Sequence, residues 1–137
     1  MPVDLQTLPL RERHLVDDPL VETTGFDPDP HDPRVVTATL DTSRYPESVV
    51  TARLDIRWFT SGDFSFHYLE TESSGKQWEC RWDRHPNDHN TRLHFHMPPN
   101  GRDVRDIPEL SEHPLEVYST VLTAIEERIE TLWSEND

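Results

Sequence analysis

Apolar and polar residues alternate with a period of two along four segments in the middle of the chain. The segments are RVVTATLDT, SVVTARLDIRWFT, DFSFHYLETE and QWECRWDRH. Such alternation, with many β-branched and aromatic residues, predicts half-buried strands. Because the connections SGD and ESSGK are short and contain glycine, we expect the last three segments to form an antiparallel meander. The segment RLHFHM predicts a fifth strand that ends before Pro98.

The alternation also assigns the two faces of the predicted sheet. One face carries Val50, Ala52, Leu54, Ile56, Trp58, Phe64, Phe66, Tyr68, Trp78, Cys80 and Trp82. The opposite face carries Arg53, Asp55, Arg57, Ser65, His67, Arg81 and Asp83. Since aromatic side chains bury large areas, we expect the first face to form the core.

The N-terminal part of the chain is less regular. From Asp4 to Val21, leucines and valines recur at irregular helical spacings that Pro9 and Pro19 interrupt, which predicts a short or broken helix. The next segment, TTGFDPDPHDPR at residues 23–34, contains closely spaced prolines that exclude a helix or a central strand. We therefore predict a loop there.

The C-terminal segment from Glu109 to Asp137 carries an apolar stripe at helical period, which predicts an amphipathic helix. Such a helix must cover an apolar surface, and the aromatic face of the sheet is the surface predicted for it. A chain of 137 residues has the size of one domain. We predict a single α+β domain over 1–137. Residues 1–33 hold a short helix and a loop, 34–97 an antiparallel sheet of about five strands, and 109–134 the covering helix.

The distribution of charge indicates a cell with a salty cytoplasm. The formal net charge is −14 at pH 7, the acidic residues are scattered along the chain, and Lys76 is the only lysine. This combination resembles proteins of halophiles that accumulate salt. In molar salt the Debye length falls to about 3 Å, so the net charge does not decide which partners bind. The acidic composition therefore does not exclude nucleic acid as a partner.

The cysteine count and the hydropathy of the chain indicate a cytoplasmic location. Cys80 is the only cysteine, which excludes an internal disulfide framework and a zinc module with several cysteines. No segment approaches the roughly 20 apolar residues that a membrane span needs. The start of the chain, MPVDLQTLPLRERH, lacks the apolar region of a signal peptide.

Four of the eight histidines lie in the segment RWDRHPNDHNTRLHFHMPPN, at His85, His89, His94 and His96. Histidine titrates near neutral pH and serves as a general acid, a general base or a metal ligand. These side chains are therefore our candidates for chemistry. The alternative is a non-enzymatic interaction module that binds a partner through an exposed sheet edge or the closing helix, with incidental histidines.

A metal site is one hypothesis for this segment. His94 and His96 emerge on the same face of one predicted strand, about 7 Å apart, and could share a divalent ion such as zinc. His85 or His89 could supply a third ligand across the hairpin, and Asp83 or Asp88 a carboxylate. The chain has no HExxH motif, so the spacing alone does not identify the metal.

Cleavage of RNA without a metal is the other hypothesis. It requires one group that deprotonates the 2′-hydroxyl, another that protonates the leaving oxygen, and a cation that stabilises the charge developing on phosphorus. Two histidines and an arginine meet these requirements, and Arg84 or Arg92 suits a bidentate grip on phosphate. Trp82, Phe95 or Tyr68 could stack a base if exposed, although the alternation favours the core for each.

The order of these segments resembles the TumE family of toxins from toxin–antitoxin systems. The family pattern has an N-terminal helix, paired strands, an aromatic YxYH-type strand, an RYDN- or RWDN-type strand, a His- and Pro-rich stretch and a closing helix. Here FSFHYLE, at residues 64–70, resembles the aromatic strand, and CRWDRHPNDHN, at 80–90, resembles the next strand with its continuation. LHFHMPP stands at the position of the closing His cluster.

This resemblance implies growth inhibition through RNA, relieved by a DNA-binding antitoxin. The dispersed His85 and His89 stand where the family has paired histidines, and His94-Phe95-His96 replaces a lysine-containing His run. The positions that match are His67, Arg81, Asp83, His85, His89, His94 and His96. Our hypothesis is an RNA-cleaving toxin in which the four clustered histidines act as acid, base or ligand. Contacts with substrate would come from Arg81, Arg84, Arg92, His67 and Asp83. A homodimer is left open.

Overall fold

Within residues 2–28, 34–84, 93–107 and 113–135, which the computed structural model describes, seven strands form one antiparallel sheet. Each strand pairs with its neighbours in the sequence, from one edge of the sheet to the other. The strands are β1 (Val21–Asp27), β2 (Val35–Leu40), β3 (Val49–Trp58), β4 (Phe64–Glu72), β5 (Gln77–Arg84), β6 (Leu93–His96) and β7 (Val104–Asp106). The helices are α1 (Thr7–Val16) and α2 (Pro114–Glu135). This α+β architecture agrees with the predicted class.

The sheet is larger than the alternation predicts, with seven strands rather than about five. The loop prediction is wrong for Thr23–Asp27, which belong to β1. The strand ends before Pro28 and lies at the edge of the sheet, where nearby prolines are tolerated. All three residues of β7 are exposed, so this strand has no apolar alternation that a sequence pattern could detect.

The predicted core face of the sheet is confirmed except at one end of β3. Val50 is 48% exposed, whereas Val49 is 4% exposed, because the register of β3 on β4 shifts between Val49 and Thr51. Such an irregularity changes the face on which the preceding side chains lie. The buried members of the predicted face are Ala52, Leu54, Ile56, Trp58, Phe64, Phe66, Tyr68, Cys80 and Trp82.

Both helices pack on the aromatic face of the sheet. Leu8 and Leu15 of α1 and Val121 and Ile125 of α2 belong to the same buried cluster as the aromatic side chains of β3 and β4. The predicted start of the C-terminal helix at Glu109 lies outside the described residues. Among the helices that the structure describes, none combines the length and the apolar character needed to cross a bilayer.

A buried charged network fixes α2 on β4. Glu70 is 2% exposed, and its carboxylate accepts two hydrogen bonds from Arg128, at 3.1 Å from Nε and 3.0 Å from Nη2. The guanidinium also lies 3.8 Å from the centroid of the Trp78 ring. The Tyr68 hydroxyl donates to Glu70 at 2.7 Å and lies 2.6 Å from the hydroxyl of Tyr45. Burial raises the pKa of Tyr68, which keeps the phenol protonated as a donor.

We expect Arg128→Met to lower the free energy of unfolding by about 3–5 kcal/mol, because it leaves the Glu70 carboxylate buried without its cation. Arg128→Met combined with Glu70→Gln should recover much of this loss. Arg53→Met is the control, since Arg53 is half-exposed and pairs with Asp55 at 3.3 Å, a contact that contributes less than about 1 kcal/mol. Urea denaturation measures all three variants. Equal losses in Arg128→Met and Arg53→Met would contradict a stabilising role for the buried network.

Candidate functional site

The face of the sheet opposite the helices collects most of the predicted site residues that the structure describes. Antiparallel pairing places Asp55, His67, Arg81 and His96 in one row across β3, β4, β5 and β6. A second row contains Arg57, Ser65, Asp83, His94 and Asp106. We refer to these two rows, together with Glu79, as the polar face. His85, His89 and Arg92, also predicted for the site, lie outside the described residues.

Asp83 lies at the centre of the polar face. Its side chain is fully buried, at 0% exposure, and its Oδ2 lies 2.8 Å from Nε2 of His96 and 3.0 Å from Nε of Arg81. One carboxylate oxygen therefore contacts both an imidazole and a guanidinium. Charge-assisted contacts of this kind have more favourable energies than neutral hydrogen bonds and restrict the orientation of both partners.

The contact with Asp83 determines the tautomer of His96. Nε2 of His96 faces Oδ2 of Asp83 at 2.8 Å and Nη2 of Arg81 at 3.1 Å. We assign the hydrogen to Nε2, because the carboxylate is the nearer group and only accepts hydrogen bonds. In the neutral ring, Nδ1 then holds the lone pair, 3.4 Å from Nη2 of Arg81. The His96 side chain is 15% exposed and that of Arg81 is 41% exposed, so a ligand can reach both. A basic nitrogen and a permanent cation thus lie side by side.

His94 is the second imidazole of this region. It lies two residues before His96 on β6, and the alternation of the strand directs both rings to the polar face. Nδ1 of His94 is 3.1 Å from Oδ1 of Asp106, whose side chain is 53% exposed. Each of the two histidines thus lies beside a different carboxylate. Both distances are those of ion pairs, in which a carboxylate oxygen faces a ring nitrogen of the histidine.

His67 lies at the margin of the site. Its Nε2 is 3.3 Å from Oε1 of Glu79, and Arg81 separates it from His96 in the row across the sheet. Because neighbouring strands are about 5 Å apart, His67 and His96 are about 10 Å from each other across the sheet. His67 can therefore contact a ligand that extends over several strands, but it does not share a single reacting atom with His96.

Arg84 does not lie on the polar face. It follows Asp83 directly on β5, so its side chain is directed to the opposite side of the sheet, where Nη1 is 2.6 Å from Oδ1 of Asp63. The candidate base-stacking residues Tyr68, Trp82 and Phe95 also lie on the helix side. Together with Arg128 and other residues of α2 they line a cleft of about 290 Å³. The polar face is therefore built almost entirely from charged and imidazole side chains.

The described residues do not form a metal site. Within them, no three histidine, cysteine, aspartate or glutamate side chains are grouped so that they could hold an ion. The third ligand that the sequence predicts, His85, lies outside these residues. Cys80 is directed to the core, and burial raises the pKa of its thiol to about 12, so it is protonated at neutral pH and is a poor nucleophile.

Comparison with known protein families determines what kind of protein carries this site. A sequence model of the family described as Toxin TumE matches residues 11–129. The chain belongs to the TumE family. The match extends from α1 into the last turns of α2 and includes every residue of the polar face. No curated protein and no solved structure matches the chain.

Membership in the TumE family supports a toxin role and suggests an antitoxin as a partner. It also confirms the resemblance drawn from the strand motifs. The family match does not identify a reaction, and the geometry of the polar face is the basis for proposing one.

Two residues of the polar face that contact a histidine, Asp106 and Glu79, are not among the site residues predicted from the sequence. Asp106 could not be found because β7 is not predicted, whereas Glu79 could have been found, since it alternates with Arg81 and Asp83 on β5. Arg57 is exposed on the face that the alternation of β3 predicts. Strand pairing places it in the same row as Asp83 and His94.

We expect Asp83→Asn to change the tautomer of His96. In the wild type the ring should carry its hydrogen on Nε2, because Asp83 can only accept there. An asparagine amide can present either a donor or an acceptor and should allow the Nδ1–H tautomer. Long-range proton–nitrogen NMR correlations distinguish the two forms. Asp106→Asn is the matched control, because it should affect His94 and leave His96 unchanged. A His96 tautomer that is the same in the wild type and in Asp83→Asn would contradict this assignment.

Proposed function

We propose that this TumE-family toxin cleaves RNA by acid–base chemistry on the polar face. His96 and His94 transfer the protons, and Arg81 binds the phosphate. The observation that supports this most directly is the shared contact of Asp83 with His96 and Arg81, at 2.8 and 3.0 Å. This contact brings an imidazole and a guanidinium next to each other in one partly exposed site, as the proposed base and phosphate-binding group require.

In the proposed reaction, Nδ1 of His96 removes the proton of a 2′-hydroxyl, and the resulting oxygen attacks the adjacent phosphorus. The bond from phosphorus to the 5′-oxygen breaks, and His94 delivers a proton to that leaving oxygen. The products are a 2′,3′-cyclic phosphate and a 5′-hydroxyl. Asp83 stabilises the imidazolium that forms on His96, and Arg81 stabilises the negative charge on the phosphoryl oxygens.

Neighbouring side chains extend the substrate site. Arg57 and His67 lie on the same face and can contact phosphates on either side of the scissile bond. Because Tyr68, Trp82 and Phe95 are on the helix side, the proposed contacts are mainly to the backbone of a single strand, and we expect little preference for particular bases. His85, His89 and Arg92 are retained as further acid, base or phosphate-binding groups. Arg84 is left out because Asp63 engages it on the other face.

We expect the purified protein to cleave a single-stranded RNA in the presence of EDTA and to leave a 2′,3′-cyclic phosphate. His96→Ala, and His94→Ala combined with His96→Ala, should reduce the rate by about 10²–10⁴-fold, since general acid–base catalysis contributes on that order. His14→Ala is the control, because His14 is exposed on α1, on the helix side of the sheet. Gel electrophoresis and end-group analysis of the products provide the measurement.

Three outcomes separate this proposal from the competing functions. Loss of cleavage in EDTA, with zinc found by elemental analysis of untagged protein, would contradict it in favour of a metal-dependent reaction. Growth inhibition by the double histidine variant with intact RNA would also contradict it, and would favour a non-enzymatic module that acts by binding a partner. Cleavage by the double variant at the wild-type rate would show that the reaction does not use this site.

A further inference from the structure

A buried arginine on α1 has no hydrogen-bonding partner within the described residues. Arg11 is 4% exposed, and both Nε and Nη1 are buried without an acceptor. The guanidinium is permanently charged, and an uncompensated buried charge costs several kcal/mol. Buried polar groups in native proteins are almost always satisfied, so a group of this kind requires an explanation.

A second buried group without a partner near Arg11 is a hydrogen-bond donor. Tyr118 of α2 contacts the same part of α1, because its ring lies beside that of His14, about one helical turn after Arg11. The hydroxyl of Tyr118 is also buried without a partner. Burial raises the pKa of Tyr118, so the phenol is protonated and donates. The exposed ring of His14 lies 5.7 Å from the Tyr118 ring. We refer to the region of Arg11, His14 and Tyr118 as the seam between the helices.

The acidic residues at the end of α1 do not pair with Arg11. Asp17 and Asp18 lie near enough to Tyr118 to influence its pKa. However, Oδ1 of Asp18 accepts a hydrogen bond from the backbone N–H of Leu20 at 2.9 Å. Within the described part of the chain, neither Nε nor Nη1 of Arg11 has an acceptor, and Oε2 of Glu12, the next residue on α1, is likewise buried without a hydrogen-bond partner. The seam therefore combines a permanent positive charge with a neutral donor and lacks a negative group in contact with them.

We infer that the seam between α1 and α2 binds a small inorganic anion of the size of chloride, held by the guanidinium of Arg11 and the hydroxyl of Tyr118. The low exposure of Arg11 favours a small monatomic ion over a bulkier oxyanion or a carboxylate from a partner. The ion satisfies donors on both helices at once and ties α1 to α2. Since both helices lie on the opposite side of the sheet from the polar face, this inference does not depend on the proposed RNA cleavage.

Chloride binding can be measured on the full-length protein by the line width of the ³⁵Cl NMR signal. We expect excess broadening in the wild type that bromide reverses and sulfate does not. Arg11→Met should abolish it, and Tyr118→Phe should weaken binding by about two- to tenfold, the effect of one hydrogen bond. Arg13→Met is the control, because it removes the same charge from an exposed position on α1 and should leave the broadening unchanged.

The thermal stability of the protein tests chloride binding independently of the NMR line width. Chloride should raise the melting temperature of the wild type in a saturable way at constant ionic strength, and this dependence should vanish in Arg11→Met, with folding verified by circular dichroism. Equal chloride dependence in the wild type and Arg11→Met would overturn the inference and leave water as the partner of Arg11. Competition by sulfate would overturn the restriction to small ions.

Discussion

The proposed chemistry of this toxin depends on one buried carboxylate. Asp83 is inaccessible to solvent, yet its Oδ2 contacts both an imidazole and a guanidinium that remain partly exposed. Burying a carboxylate is unfavourable unless cations or donors compensate it, so the positions of His96 and Arg81 are strongly constrained. In the proposed reaction, the same constraint orders the ring of His96 for proton transfer and holds the cation next to its basic nitrogen.

The two faces of the sheet differ in their role, since one packs against the helices in the core and the other carries the candidate site. On the helix side, aromatic side chains and the pair of Glu70 and Arg128 fix α2 against β4. On the other side neither of the described helices covers the strands, and charged side chains form rows that cross four or five strands. A sheet with one packed and one open face can carry polar groups on rigid strands, where their spacing is determined by backbone hydrogen bonds.

The sequence predicts which face a side chain lies on wherever the period of two is strict. It does not predict which side chains meet across neighbouring strands, because that depends on strand pairing. Alternation correctly predicts that His67, Arg81 and Asp83 lie on one face. It also explains why Arg84 lies on the other face, since adjacent residues of a strand point to opposite sides of the sheet. The contact between His96 and Asp83 required the register of β6 on β5, and a slip of one residue would have brought Phe95 to that position. No pattern in the sequence determines that register.

The remaining differences have similar physical causes. The irregular register beside Val49 exposes Val50 without any sequence signal that distinguishes the two valines. β7 is short and fully exposed, so Asp106 could not be assigned to the site from the sequence. Arg11 carries no sequence signal of burial, and only the packing of α1 in the fold shows that its side chain is buried.

Binding of an RNA that cannot react tests most directly whether the polar face is the substrate site. A 2′-O-methyl oligonucleotide retains the phosphates and lacks the reacting hydroxyl, so it should bind without being cleaved. The account predicts that the ring signals of His94 and His96 shift on titration in NMR spectra, while those of His14 on the helix side do not. Shifts confined to His14, or no shifts at an RNA concentration at which the protein is bound, would contradict it.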